Sequence, residues 1–571
     1  MSALGPVRGA QVGRAVRLSC RMSAMSAEST SIQAPTTPAP GEAAPTRARA
    51  EARPWIWRPN LLVFLSNACV MILELVAGRI IAPYVGVSLY TWTSVIGVIL
   101  AGISLGNYLG GRLADRWASL RLLGGVYLLG GLSSFIILTV DLMADWVPYQ
   151  WSIVWRILAL TAALFVLPSA VLGCISPIVA KLAVQDLART GRTVGMIYAS
   201  GAAGSIVGTF ATGFFLISWF GTYAIVLGVA VVLLGLGFAL LLTGKPRALG
   251  ASFMGSLALA GVIWWPTHSL SPCTLETDYF CIKVREENRH GDIVRLLILD
   301  RLVHSYSSLS DPTRLVYGYE QVYAEATQYQ AQRNATLSAL FIGGGGYTFP
   351  RYMENVYPGS RLDVIEIDPA VTRVAYEYMG LPADSTVTSF NQDARLFLER
   401  EPDHHYNLIM GDAFNDYSVP YHLTTHEFNQ RVRAWLADHG LYLVNIIDGA
   451  GGDFLRAYTH TLRQSFEHVY VIPTTENWRW SVRTTYVLVA GRHPLDLEAF
   501  KDIDGGDGSA LLAHRVLSQE ELDEVLAGGR TITLTDRYAP VDQLLAAVVR
   551  DELPEGVQPP TPTPEFWDQL P

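Results

Sequence analysis

Between Leu61 and Trp265 the chain consists almost entirely of apolar or small residues broken by short charged loops, and this limits what it can fold into. A hydrocarbon layer about 30 Å thick is crossed by roughly 20 helical residues, whose backbone polar groups pair within the helix. The pattern predicts seven spans, at 61–82, 90–111, 122–142, 157–180, 195–217, 221–242 and 248–265. The last is the shortest, 18 uncharged residues closed by Trp264 and Trp265, which suit an interfacial aromatic belt. Half of all residues are hydrophobic and the mean hydropathy is +0.25, too high for an ordinary two-domain soluble enzyme.

Basic residues alternate between the loops. Arg47, Arg49, Arg53 and Arg58 precede the first span. Arg112, Arg116 and Arg121 follow the second, Lys181, Arg189 and Arg192 the fourth, and Lys245 and Arg247 the sixth. The loops after the first and fifth spans carry none, which puts the N-terminus in the cytoplasm of a multi-pass plasma-membrane protein. Seven full spans then put residues after Pro266 on the outer face. If 248–265 is only re-entrant or interfacial, that half is cytoplasmic instead. Cys273 and Cys281 lie just beyond the spans, either as two unrelated thiols or as a pair formed in an oxidising compartment. Residues 1–58, rich in Ala, Pro, Ser and Thr, read as a disordered segment before a transmembrane domain at 59–268.

Glu74 and Arg79 fall at or inside the first span, where ionisable groups are expensive. They read either as a transport or coupling pair or as a packing ion pair, with snorkelling to the interface open to Arg79. Gly201, Gly204, Ser205, Gly208 and Thr212 supply small-xxx-small steps for close helix packing. The segment Gly111–Arg116, read as a loop, resembles the cytoplasmic loop motif of major facilitator transporters. The net charge of -9 and the lack of a basic, aromatic-interleaved stripe exclude nucleic acid as an expected partner. No cysteine or histidine cluster has zinc spacing, so no metal is expected.

Beyond Pro272 the periodicity shortens. Strands at 275–286 and 293–304 form a hairpin region within 273–310, and a helix follows at 312–332. Strands at 337–342, 361–367, 386–390, 406–411 and 440–447 then alternate with helices at 348–356, 369–379, 392–399 and 425–437, with a closing hairpin at 468–473 and 484–490. This rhythm predicts a Rossmann-like α/β domain over 311–495 with a mainly parallel sheet, before a C-terminal helical segment and tail at 496–571.

Ligands bind such sheets beyond the carboxyl ends of the strands. The first strand ends in Gly343, Gly344, Gly345 and Gly346, a turn that lets the backbone approach a ligand. Twenty-three residues after Gly343 comes Glu366, a bidentate acceptor for ribose hydroxyls. Asp393 and Ala394 are placed to bracket an adenine, although Asp393 is equally a helix cap. Asp412 and Asp416, four residues apart on the fourth-strand loop, could position and deprotonate an amine, or Asp412 could be a local turn cap.

On these residues, with the hairpin ending Leu299–His304, the loop through Pro420 and the segment Leu534–Asp542, the region from about Leu275 to Ala490 resembles the spermidine/spermine synthase family of aminopropyltransferases. The whole chain resembles its membrane-fused bacterial branch. The resemblance implies a methyltransferase-type fold, decarboxylated S-adenosylmethionine as donor and methylthioadenosine as product. It implies Glu366 on the ribose, Asp393 on the adenine, an acid of the fourth-strand loop on the attacking amine, and His304, Tyr319 and Pro420 as substrate contacts. The expected partners are an adenosyl thioether nucleotide, a polyamine or other amine, and membrane lipid, with a homodimer left open. Methyl transfer from S-adenosylmethionine and a non-catalytic transporter or sensor fusion are the alternatives. Three departures bear on the amine side: family enzymes carry Asp where Gly346 stands and Gln where Phe280 stands, and they space the two loop acids by three.

Overall fold

The computed structural model describes residues 58–148, 151–184, 186–242, 255, 272–289, 291–413, 419–501 and 511–550. The segment 1–57, most of the seventh predicted span at 248–265, and Asp416 lie outside the described residues.

Six helices are long and apolar enough to cross a membrane, so among the described residues the count is six rather than seven. They are α1 (Pro59–Val85), α2 (Leu89–Trp117), α3 (Leu120–Ser134), α4 (Ile153–Gly173), α5 (Thr190–Ala211) and α6 (Thr222–Leu241). Further helical turns prolong α3, α4 and α5 to Trp146, Ala183 and Trp219. Gly111–Arg116 is not a loop but the last turns of α2, where Asp115 meets Lys181 at 2.9 Å. Glycines let the helices touch backbone to backbone. A Cβ at Gly204 of α5 would fall on the Phe64 carbonyl of α1, and one at Gly208 would come within 2.6 Å of the Ala68 carbonyl oxygen. Gly106 of α2 meets the Ala170 carbonyl of α4 in the same way.

Glu74 and Arg79 do not pair with each other. Glu74 Oε2 is buried without a hydrogen-bond partner among the described residues. Arg79, near the C-terminus of α1, donates instead to the backbone carbonyls of Thr277 and Asp278. At the same end of the bundle the Glu276 carboxylate accepts from the Thr222 N–H, both oxygens at 3.1 Å, and so caps α6. The soluble half thus sits on the end formed by the α1–α2 and α5–α6 turns, and the basic turns after α2 and α4 lie at the other. A disulfide joins Cys273 and Cys281.

Four antiparallel strands follow in sequence order: β1 (Leu275–Glu276), β2 (Cys281–Arg289), β3 (Asp292–Leu299) and β4 (Leu302–Ser308). The sequence pattern had joined β3 and β4 as one strand. They separate at Asp300, whose φ is 54° and whose Oδ1 accepts from the Cys281 N–H at 2.9 Å. The next helix, α7 (Gly318–Ala331), starts later than its predicted position at 312, because the Asp311 carboxylate binds the Thr313 N–H at 2.8 Å and holds the chain in a turn.

The remainder is a seven-stranded sheet of β5 (Ser338–Ile342), β6 (Arg361–Ile365), β7 (Thr388–Phe390), β8 (Tyr406–Gly411), β9 (Leu436–Asp448), β10 (His468–Pro473) and β11 (Thr484–Gly491). Its order is β10-β11-β9-β8-β5-β6-β7. Neighbours from β9 through β7 are parallel, while β11 runs antiparallel to both β9 and β10. Helices α8 (Thr348–Val356), α9 (Pro369–Glu377), α10 (Ala394–Leu398), α11 (His426–Trp435) and α12 (Asp453–Leu462) make the connections; α12 was missed in the sequence pattern. Alternate residues of β5 enter different cores, Leu340 and Ile342 on one face and Ala339 and Phe341 on the other. Both faces are therefore covered, as the apolar runs require.

The backbone contact at Gly204 makes a specific expectation. Gly204→Leu should destabilise the bundle by about 2 kcal/mol or more, since the Phe64 carbonyl cannot rotate away as a side chain would. Thermal unfolding in detergent, against Gly213→Leu where no atom lies within 4 Å, measures it.

Candidate functional site

Strand register creates the site. Ile342 pairs with Ile365 and Gly411, and Ile365 with Phe390, so Gly343, Glu366, Asn391 and Asp412 leave the sheet along one edge. The chain order reverses between β5 and β8, which opens a crevice at that edge. Gly343 has φ 100°, and a Cβ there would come within 2.5 Å of the Asp412 carbonyl oxygen, so the turn admits glycine for two separate reasons. Glu366 is buried, its Oε2 accepting from the Gly344 N–H at 2.8 Å and its Oε1 from the Asp368 N–H at 2.9 Å. Burial raises its pKa despite these donors.

Asp412 is held from two sides, Oδ2 accepting from the Tyr319 hydroxyl at 3.0 Å and Oδ1 from the Asn445 amide at 2.8 Å. Burial pushes its pKa up to about 6, and the two donors oppose the shift. One residue from Tyr319, buried Glu320 is pushed up to about 8 by burial and, secondarily, by Asp412's charge. The two carboxyls are thereby set apart, Glu320 held further toward its neutral form than Asp412. Tyr306, Tyr317, Tyr319 and Tyr323 form a row with ring centroids 4.9, 5.3 and 5.5 Å apart, linking β4 to α7 behind Asp412. His304 stands on β4, its pKa lowered to about 4 by burial and then by the Arg483 charge.

On the other side Asp393 is the helix cap that one reading expected. Its Oδ1 caps α10 through the Leu396 N–H at 3.0 Å, and its Oδ2 meets His422 Nε2 at 3.1 Å. Ala394 is buried beside it. Pro420 opens the turn carrying His422, and Arg395 ties that turn down by donating to the His422 carbonyl at 2.8 Å and pairing with Asp536 of the Leu534–Asp542 segment. Glu366 and the Gly343–Gly346 turn are brought together directly, as are Tyr319 and Asp412. Pro420 reaches Asp393 only through His422. His422, Asn445 and Glu320 were not singled out in the sequence, although an Asn inside the apolar run of β9 was a signal available there.

The departures have physical causes. Gly346 donates its N–H to Ser305 Oγ at 2.7 Å, and a Cβ at Gly346 would come within 2.7 Å of Ser305 Cβ. No aspartate fits there without moving β4. Phe280 packs against the buried cluster of Ile282, Leu299 and Val371 and serves as core.

The sheet order with its single antiparallel strand, and the acidic crevice at the chain reversal, define an α/β domain of methyltransferase-like type. Among known proteins the chain is similar to a probable polyamine aminopropyl transferase from Bifidobacterium longum, 38% identical over 117 residues, 20% of this chain and 26% of that one. A polyamine aminopropyltransferase from Corynebacterium efficiens is 24% identical over 416 residues, 69% of this chain and 78% of its own. Protein N-methyltransferases are similar over shorter parts. A solved probable spermidine synthase from Corynebacterium glutamicum superposes with a TM-score of 0.40 at 22% identity, over 45% of this chain and 93% of its own. No protein-family model matches the chain. The chain has spermidine synthase-like homology, and its relatives are aminopropyltransferases and methyltransferases.

The Asp412 shift has a definite sign. Below the ordinary carboxylate range Asp412 is protonated whether the chain is folded or not. Between that range and about pH 6 the folded chain holds a proton the unfolded chain releases, so its stabilising contribution is full at low pH and lost as pH rises through about 6. Tyr319→Phe and Asn445→Leu should each move this titration further up, because each removes a donor to the charged form. Infrared pH-difference spectra, with Asp412→Asn to assign the band, measure it.

Proposed function

We propose that the chain is a membrane-bound, spermidine synthase-like transferase that moves the aminopropyl group of decarboxylated S-adenosylmethionine to a polyamine or other amine. The observation that carries this reading is the shared strand edge: a buried Glu366 with a glycine turn against it and, across the chain reversal, an Asp412 carboxyl held by Tyr319 and Asn445. In this reading Glu366 takes the ribose hydroxyls, Asp393 and Ala394 the adenine, and Gly343–Gly346 the thioether side. Asp412, oriented by Tyr319 and Asn445, accepts the ammonium; Asp416 is proposed as the second acid, with His304 and Pro420 lining the amine side. The amine lone pair attacks the propyl carbon on the sulfonium, the carbon–sulfur bond breaks with its electrons passing to sulfur, and neutral methylthioadenosine leaves. Before the attack the bound ammonium gives one proton to Asp412, which passes it to water; this frees the lone pair, and the new secondary ammonium keeps its remaining protons. Alignment and one proton transfer are all the protein need supply.

A second reading, methyl transfer from S-adenosylmethionine, is favoured by Ser305 filling the space where family enzymes carry an acid for the donor's amine. Purified protein offered labelled decarboxylated S-adenosylmethionine, then methyl-labelled S-adenosylmethionine, with a panel of amines separates the two. Aminopropylated product from the first donor is expected, and methylated product from the second alone would overturn the proposal. Glu366→Gln should weaken methylthioadenosine binding by about 1–3 kcal/mol, since an amide cannot accept from both hydroxyls. Calorimetry reads it, and unchanged affinity removes Glu366 from the site.

The catalytic half is proposed on the outer face. Two observations support this: it packs on the bundle end opposite the basic turns, and Cys273 and Cys281 are joined. The cytoplasmic origin of adenosyl sulfonium compounds then requires that the donor be carried across. Glu520→Cys, on the exposed helix Gln519–Ala527, should react with a membrane-impermeant maleimide in intact cells. Labelling only after lysis would reverse the assignment.

A further inference from the structure

We infer that Arg79, inside the first membrane helix, is a positioning residue for the nucleoside site, which it reaches through an unbroken line of hydrogen bonds. This rests on the adenosyl-binding reading of Glu366 and adds to it a dependence on the bundle. The line begins where the Arg79 guanidinium donates from both terminal nitrogens to successive carbonyls, Nη1 to Asp278 at 2.6 Å and Nη2 to Thr277. Two charge-assisted bonds from one planar group fix the direction of a peptide segment as well as its distance.

Thr277 carries the constraint onward. Its Oγ1 accepts from the N–H groups of Tyr279 and Phe280 at 3.1 and 2.9 Å, which closes the 277–280 turn. The same hydroxyl donates to Asp368 Oδ2 at 2.5 Å. Asp368 caps α9 with its other oxygen, through the Ala370 N–H at 2.9 Å, and its own N–H donates to Glu366 Oε1 at 2.9 Å. Glu366 Oε2 is fixed by Gly344 at 2.8 Å. One side of the ribose carboxylate is thus set by the glycine turn and the other by a sequence of contacts that ends in α1. The cap of α9 and the Gly344 bond hold Glu366 near its place without Arg79. The guanidinium therefore acts on the accuracy of the site rather than on its existence.

This explains an otherwise costly residue. An arginine in an apolar span is tolerated when its charge is used at the interface. Among the described residues the charge meets neither Glu74 nor another carboxylate but two main-chain oxygens, those of Thr277 and Asp278. Among the described residues a cavity of about 320 Å³ lies beside the guanidinium, lined by Gly78, Trp92, Tyr223, Glu276 and Tyr279. The turn's position depends on the guanidinium grip.

The test uses full-length protein in detergent with Arg79→Met, Arg79→Lys, Thr277→Val and Thr277→Ser, and reads methylthioadenosine affinity, donor KM and kcat. Arg79→Met and Thr277→Val should each raise Kd and donor KM about tenfold and leave kcat at saturation unchanged, and the double variant should be no worse than either single one. Thr277→Ser should behave as wild type and Arg79→Lys should fall between. Hydrogen exchange gives a readout that needs no ligand: Arg79→Met and Thr277→Val should both speed exchange at 366–370, and Thr277→Val does so without touching the bundle. Wild-type affinity and exchange in Arg79→Met, or losses that add in the double variant, would overturn the inference. If wild-type protein binds no adenosyl compound, the reading of Glu366 fails instead, and exchange alone decides whether Arg79 governs that segment.

Discussion

The α-carbon of Gly343 lies against the main-chain carbonyl of Asp412, and the geometry of the crevice depends on that contact. It joins the turn after the first strand of the parallel sheet to the end of its neighbour across the chain reversal. A side chain in between would push β5 and β8 apart at their carboxyl ends, and with them the groups each strand delivers. Because the separation is set by two backbones, side-chain motion does not alter it. Glu366, one strand further, is located from the same turn through the Gly344 N–H.

Within that frame burial does the electrostatic work. Asp412, Glu320, Glu366 and His304 are all buried deeply enough that each is shifted toward its neutral form. The shifts differ because the donors differ. Asp412 receives two side-chain donors, whereas Glu320 has backbone donors and is raised further by Asp412's charge.

Much of this was legible in the sequence. The six described helices fall where apolar length put them, and the strands around Gly343, Glu366 and Asp412 match their predicted places closely, since each is a short apolar run bounded by turn residues. What escaped was non-local. Asp300 splits a continuous alternating run through a hydrogen bond to Cys281, and Asp311 delays α7 with a side-chain turn. Arg79 and Glu74, five residues apart in an apolar helix, suggested each other as partners; the true partners of Arg79 are about two hundred residues away. His422 could not be weighed, because its role depends on Arg395 and Asp536 pinning its turn.

Glu276 closes α6 from a position fifty-four residues further along the chain. Helix starts leave backbone donors unpaired, and such groups are expensive where water is scarce. During synthesis α6 emerges well before the carboxylate that completes it, so the bundle passes through an interval with that end open. Its final closure waits for the soluble half to fold. A truncated product made without the strand region would lack this acceptor, so completion of the start of α6 is coupled in time to the segment that follows it.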